Sequence, residues 1–188
     1  MKTNKPTRII LASLGCLAVV ALPAAADTMQ GTPADPATDS SAGKTGGELT
    51  RADHRFVKKA SACGAFEIEI SRQASTQAAN AQVRDYAAGL VREHERMQRE
   101  LSTLAARRGA SVPAEKPRGE VADLAKKTGN DYDEAYLDDI IDAHEDTIGL
   151  LEKASKSKDT DIAAFAVQYL PGVRDHLARA KQLNKLVD

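Results

Sequence analysis

Four stretches of the chain carry apolar residues spaced alternately three and four apart, which is the signature of a helix with one buried face. The first runs from about Arg51 to Ala78, with Phe56, Ala60, Cys63, Glu67, Ile70 and Ala74 on its seam. The second opens after Asn80, a residue suited to cap a helix start, and ends at Gly109. Its seam reads Val83, Ala87, Leu90, His94, Met97, Leu101 and Leu104. The third spans about Asp131 to Ser155, with Leu137, Ile140, His144, Thr147 and Leu151 in register. The fourth starts near Asp161 and aligns Ile162, Ala166, Tyr169, Val173, His176, Ala180, Leu183 and Val187.

No segment alternates apolar and polar residues with a period of two, and there is no Asn-Gly or Asp-Gly hairpin turn. Trp is absent and Gly and Pro total 19, which argues against a many-turned, aromatic-rich sandwich. Short first and last connections make two antiparallel hairpins, and the expected fold is an all-α, antiparallel four-helix bundle. The connection between the second and third long helices is longer, holds Pro113 and Pro117, and has room for a short helix over Val121–Lys127. Pro171 falls inside the last helix, where it removes one backbone hydrogen bond.

The N-terminal region follows different rules. Lys2, Lys5 and Arg8 precede an apolar run from Ile9 to Leu22 and then Ala24-Ala25-Ala26, the order of parts in a secretory signal peptide over residues 1–26. A lipoprotein modified at Cys16 is the weaker alternative, because Ser13 stands where that signal wants an apolar residue. Residues 27–48, rich in Thr, Ser, Ala, Gly, Pro and Asp, bury too little to offset the entropy of ordering and form a disordered linker. The bundle then occupies residues 49–188, with Thr50 and Asp53 as its first N-cap and first-turn acid.

Removing residues 1–26 takes away three basic residues and no acidic ones, leaving 23 basic and 27 acidic residues and a net charge of −4. That balance gives no basic face for nucleic acid. It also leaves Cys63 as the sole cysteine, unable to form an intramolecular bridge; it suits a buried place first, with a metal ligand or an intermolecular handle as the alternatives. The expected location is periplasmic or secreted, with no transmembrane span after cleavage. An envelope protein or a second copy of the chain is the expected class of partner.

Three of the four histidines occupy seam positions where an apolar residue belongs. His94 lies between Leu90 and Met97, His144 between Ile140 and Thr147, and His176 between Val173 and Ala180. The first helix contributes Glu67 at the equivalent place, whereas His54 lies near the helix start and is solvated. Counted from turns centred on residues 79 and 158, Glu67 is 12 positions from its turn, His94 15, His144 14 and His176 18. At about 1.5 Å per residue the paired groups differ in height by roughly 4–6 Å, so all four can meet near mid-bundle. Two arrangements relieve the cost of burying them. One is a structural polar network around Glu67. The other is a site for one divalent transition-metal ion (zinc, copper, manganese or iron) held by Glu67, His94, His144 and His176. Met97 and Cys63 are nearby soft groups that would favour copper, although Met97 also suits simple core packing.

Asp53-x-x-Phe56-Val57, Ala60, Glu67, Glu93-His94, Leu101, Tyr132-Asp133-x-x-Tyr136, His144, Leu170-Pro171 and His176-Leu177 occur in an order that resembles a family of exported bacterial ferritin-like proteins of unknown function. The resemblance spans Leu49 to Leu183 and implies a ferritin-like bundle whose second and third long helices are joined by a crossover. It implies no activity. Di-iron ferritin-like proteins use Glu-x-x-His pairs, but Val91, Ile141 and Val173 precede the three histidines here. The chain thus departs from an iron-oxidase or storage centre. The acidic neighbours Glu93 and Asp175 are expected to face solvent, as are Arg107, Arg108, Lys153, Lys156 and Lys158.

No Gly-x-Ser-x-Gly elbow, P-loop or dinucleotide fingerprint is present, and no catalytic residue set emerges. The leading expectation is an exported bundle that binds one metal ion in a stress or metal-handling role. A metal-free structural or partner-binding module is the alternative, and a redox enzyme using the ion is a third, weaker reading.

Overall fold

The computed structural model describes residues 47–112 and 119–187, with Gly119 and Glu120 given by their backbone alone. Residues 1–26, expected as a signal peptide and including Cys16, nearly all of the expected linker, and Pro113 and Pro117 lie outside the described residues. Five helices form the described chain: α1 (Arg51–Gln77), α2 (Ala81–Arg107), α3 (Gly119–Leu124), α4 (Gly129–Ala154) and α5 (Thr160–Val187). The four long ones match the periodic segments within two residues at each end, and α3 is the short helix expected in the long connection.

Local chemistry sets the ends. The Thr50 hydroxyl accepts from the Asp53 backbone N–H at 3.2 Å, and Asn80 Oδ1 accepts from that of Gln82 at 2.8 Å. These side chains satisfy donors that the first turn of a helix leaves open. α2 stops at Gly109, whose φ of 68° is the left-handed conformation that lets Ala110 N–H return to the Ala105 carbonyl. Pro171 is accommodated without a break in α5.

The order of the helices follows from what their ends touch. Asp133, fully buried at the start of α4, accepts from the backbone N–H groups of Ala79 and Asn80 at 2.8 and 2.7 Å. This fastens the start of α4 to the turn between α1 and α2. At the other end Ser157, in the α4–α5 turn, donates to Asp53 at 2.7 Å, and Arg108 pairs with Asp159 and Asp161 at 3.1 and 2.6 Å. The connection from α2 to α4 therefore runs the length of the bundle, and α3 packs on α1 and α4 along the way. α1 packs on α2 and α4, and α5 packs on α4 and α2, so every neighbouring pair is antiparallel. Among the described residues, no helix is long and apolar enough to cross a membrane.

The core is divided into two. One apolar cluster, built around Phe56, Leu101, Leu151 and Phe165, fills the half next to the α4–α5 turn. A second, built around Ile70, Leu90, Leu137, Ile140 and Leu183, fills the half next to the α1–α2 turn. Glu67, His94, His144, Thr147 and His176 occupy the level between them on their respective helices. This polar layer is where a continuous hydrophobic core is interrupted, and it concentrates the chemistry of the bundle.

Candidate metal centre

His94, His144 and His176 come together from α2, α4 and α5. Their ring centroids are 5.3–5.6 Å apart, and one ring nitrogen of each lies within 4.8 Å of one from both others. His144 is fully buried, His94 is 2 % exposed, and the His176 side chain is 16 % exposed.

Each ring is held on its outer side by an acceptor. His94 Nδ1 lies 2.8 Å from Glu67 Oε2. His144 Nδ1 donates to the Ile140 carbonyl at 2.9 Å, and His176 Nε2 lies 3.0 Å from Glu93 Oε2. A carbonyl or carboxylate only accepts, so each outer nitrogen carries the proton and the other nitrogen of a neutral ring presents a lone pair. Those remaining atoms, His94 Nε2, His144 Nε2 and His176 Nδ1, are buried and without a hydrogen-bond partner among the described residues; the His94 Nδ1–Glu67 Oε2 contact is an ion-pair approach that lacks hydrogen-bond geometry. Three unsatisfied nitrogens at one level of the core are costly in an apolar setting and match what a His-ligated metal requires. Imidazole ligands characteristically pass their second N–H to a carboxylate or backbone carbonyl, as these three do.

Glu67 stands behind His94, outside the histidine cluster. Its Oε1 accepts from the Thr147 hydroxyl at 3.0 Å and its Oε2 faces His94. Burial by itself would raise the Glu67 pKa, but the His94 and His144 charges and the hydrogen bonds from His94 and Thr147 outweigh it and bring it down to about 2. The same balance acts on His94: burial opposes its charged form, and the adjacent Glu67 carboxylate prevails and raises its pKa. His144 lacks such a partner at contact distance, so burial dominates and lowers its pKa to about 4. Burial and the His94 charge lower that of His176.

These shifts fix the pH dependence of the metal-free protein. Glu67 has a folded value below its ordinary 4.5, so its contribution is present above that pH and is lost as pH falls toward 2. His144 is held neutral, and its contribution is lost as pH falls from 6.5 through about 4. His94 has the opposite sign: its contribution is complete below pH 6.5 and is lost as pH rises through its raised folded value. Chemical denaturation of the metal-free chain from pH 8 to 3 should show stability falling steeply below pH 6. A flat profile there would contradict a neutral, buried His144.

Three residues behave differently from expectation. Arg108, expected to face solvent, has a side chain only 6 % exposed, because it pairs with Asp159 and Asp161 at the α4–α5 turn. Glu93 is not simply a solvated neighbour, because it reaches from α2 across to His176 on α5. Its position one residue before His94 hides this, since the contact depends on how the two helices pack. Cys63 is half-buried rather than buried and lies outside the cluster. His54 is exposed, as its place near the helix start suggests.

A cleft of about 100 Å³ opens between α2 and α5 onto this site, lined by His94 and His176 together with Glu93, Met97, Tyr169 and Gly172, among others.

The chain belongs to the DUF4142 family, a domain of unknown function whose model matches residues 38–183. Among solved structures it is similar to a DUF305 fragment from Deinococcus radiodurans, with a TM-score of 0.67 at 13% identity, covering 73% of this chain and 98% of that one. It is also similar to CopM in its Cu(II)-bound form, with a TM-score of 0.63 at 15% identity, covering 71% of this chain and 95% of CopM. The Cu(I)-bound form of CopM gives a TM-score of 0.63 at 16% identity, covering 73% of this chain and 97% of CopM. At these identities the likeness concerns the fold. No curated protein matches the chain.

Proposed function

We propose that this protein binds one transition-metal ion, copper in preference to zinc, manganese or iron, through His94, His144 and His176, and serves in metal handling in the cell envelope. The observation that carries this reading is the set of three buried imidazoles, each anchored outward by an acceptor and each left with an unpartnered inner nitrogen. Glu67 then acts as the partner that orients His94 rather than as a ligand. Imidazole suits copper, zinc and iron alike, and the thioether of Met97 in the adjoining cleft adds a soft donor that tilts the choice toward copper. CopM, a protein of similar fold, is solved in Cu(I)-, Cu(II)- and Ag-bound forms, which supports copper as the first ion to test.

The antiparallel neighbours and the α2–α4 crossover support a ferritin-like arrangement without its Glu-x-x-His pairs. The envelope location rests on the signal-peptide pattern of residues 1–26.

The Glu67–His94 pair with Thr147 also favours a second reading, in which the polar layer is a metal-free structural network of a partner-binding module. Metal analysis of the untagged chain after equilibration with Cu(II), Zn(II), Mn(II) and Fe(II) separates the two. The metal reading expects one ion per chain and a rise in melting temperature. Sub-stoichiometric metal with unchanged melting for every ion would leave the structural network standing.

A further inference from the structure

We infer that the cleft between α2 and α5 is the port through which the ion enters and leaves, so that the histidine cluster is an exchange site rather than a closed structural one. This rests on the metal reading above. The three rings are unequally covered: His144 on α4 is fully buried and His94 nearly so, while the His176 side chain is 16 % exposed. Toward α1 and α4 the cluster is backed by Glu67 and Thr147, 1 % and 2 % exposed. The cleft meets it on the opposite flank, where His94 and His176 form part of its wall.

The lining suits passage of a cation. Glu93, whose side chain is 53 % exposed, stands at the rim and holds His176 Nε2. An approaching cation thus meets a carboxylate first and a histidine next, although Arg96 also lines the cleft and partly offsets the carboxylate. Met97, 4 % exposed, also lines the cleft. Gln168, in the α5 wall, donates to Glu100 of α2 at 3.1 Å, one of the polar contacts that join the two helices beside the cleft, with Glu93–His176 another. Gly172 leaves the wall open on the α5 side, and a Cβ placed there meets no atom within 4 Å. Next to it Pro171 has no N–H for the Val167 carbonyl, so this turn of α5 is held by one bond fewer than its neighbours. Structural metal sites are closed by protein ligands on every side, whereas sites that exchange or react keep one side open.

Filling the port should change rates without changing equilibrium. The test is stopped-flow uptake of Cu(II) by the metal-free full chain, and release of the loaded ion to excess EDTA. Gly172→Leu should slow both processes about tenfold and leave Kd within twofold of the unmodified protein. Gln168→Ala should speed both. Gly149→Leu, an equivalent replacement in α4 away from the cleft, should change neither. Uptake and release by Gly172→Leu at the unmodified rates would overturn the port. If that variant loses binding, Gln168→Ala decides, because faster exchange supports the port and unchanged exchange overturns it. Failure of the unmodified chain to take up Cu(II) would overturn the metal reading itself, and the port with it.

Discussion

Alanine at position 144 is expected to abolish the metal-dependent rise in melting temperature while leaving a folded bundle. An ion that binds only the folded chain stabilises it by about 4 kcal/mol at a thousandfold excess over Kd, on the order of 10 °C for a domain of this size. Among the described residues His144 has no carboxylate partner at contact distance, and its hydrogen bond is to the Ile140 carbonyl of its own helix. Its removal therefore deletes one lone pair from the cluster without leaving a charge stranded. The checking measurement is a pair of melting curves, with and without Cu(II), for the unmodified chain and His144→Ala. If the variant kept the full metal-dependent rise, the three-histidine assignment would fail.

Glu67→Ala should do the reverse and act chiefly on the metal-free protein. Glu67 and His94 form an ion pair with almost no solvent exposure, and Thr147 donates to the same carboxylate. Taking away one member of a buried pair strands the other, at a cost of about 3–5 kcal/mol. Urea denaturation at pH 7 should register that loss as a lower midpoint with an unchanged slope. Glu67→Gln keeps an acceptor oxygen for only one of the two donors, its amide NH2 replacing the other oxygen, and should recover part of the loss. A loss below about 1 kcal/mol for Glu67→Ala would mean that the pair is not formed in solution. The two variants together separate the roles: His144 as ligand, Glu67 as the buried acceptor that orients His94.

Much of this could be read along the chain because helical periodicity is a local property. The alternating three- and four-residue spacing located all four long helices, and Thr50 and Asn80 marked two starts that the caps reproduce. The out-of-place histidines were visible for the same reason, since a ring on an apolar seam is conspicuous whatever lies across from it. α3 was legible only approximately: its six residues are too few for periodicity to place the ends, and it forms where Val121 and Leu124 find apolar surface on α1 and α4.

The division of labour within the polar layer was not legible. Spacing put Glu67 at the same level as the three histidines, and level was the only criterion available. In the fold, Glu67 turns its two oxygens to His94 and Thr147, and the converging nitrogens come from the rings alone. Glu93 shows the converse. Its neighbour His94 faces the core, so Glu93 reads as solvated, yet the α2–α5 packing brings its carboxylate to His176. Cys63 misses the core for a related reason: the buried face of α1 drifts across Ser61 and Gly64, where Gln98 of α2 packs closely, and Cys63 is left half-buried.

The amino-acid order by itself determined the helices, their buried faces, and the presence of ionisable groups at one level of the core, because each depends on residues within a turn or two of one another. Tertiary packing alone decided which nitrogens converge, which carboxylates stand behind them, and that the cluster borders a cleft between α2 and α5. Those facts depend on the rotation of each helix about its own axis and on the gap between neighbours. Neither is written into the sequence of any single helix.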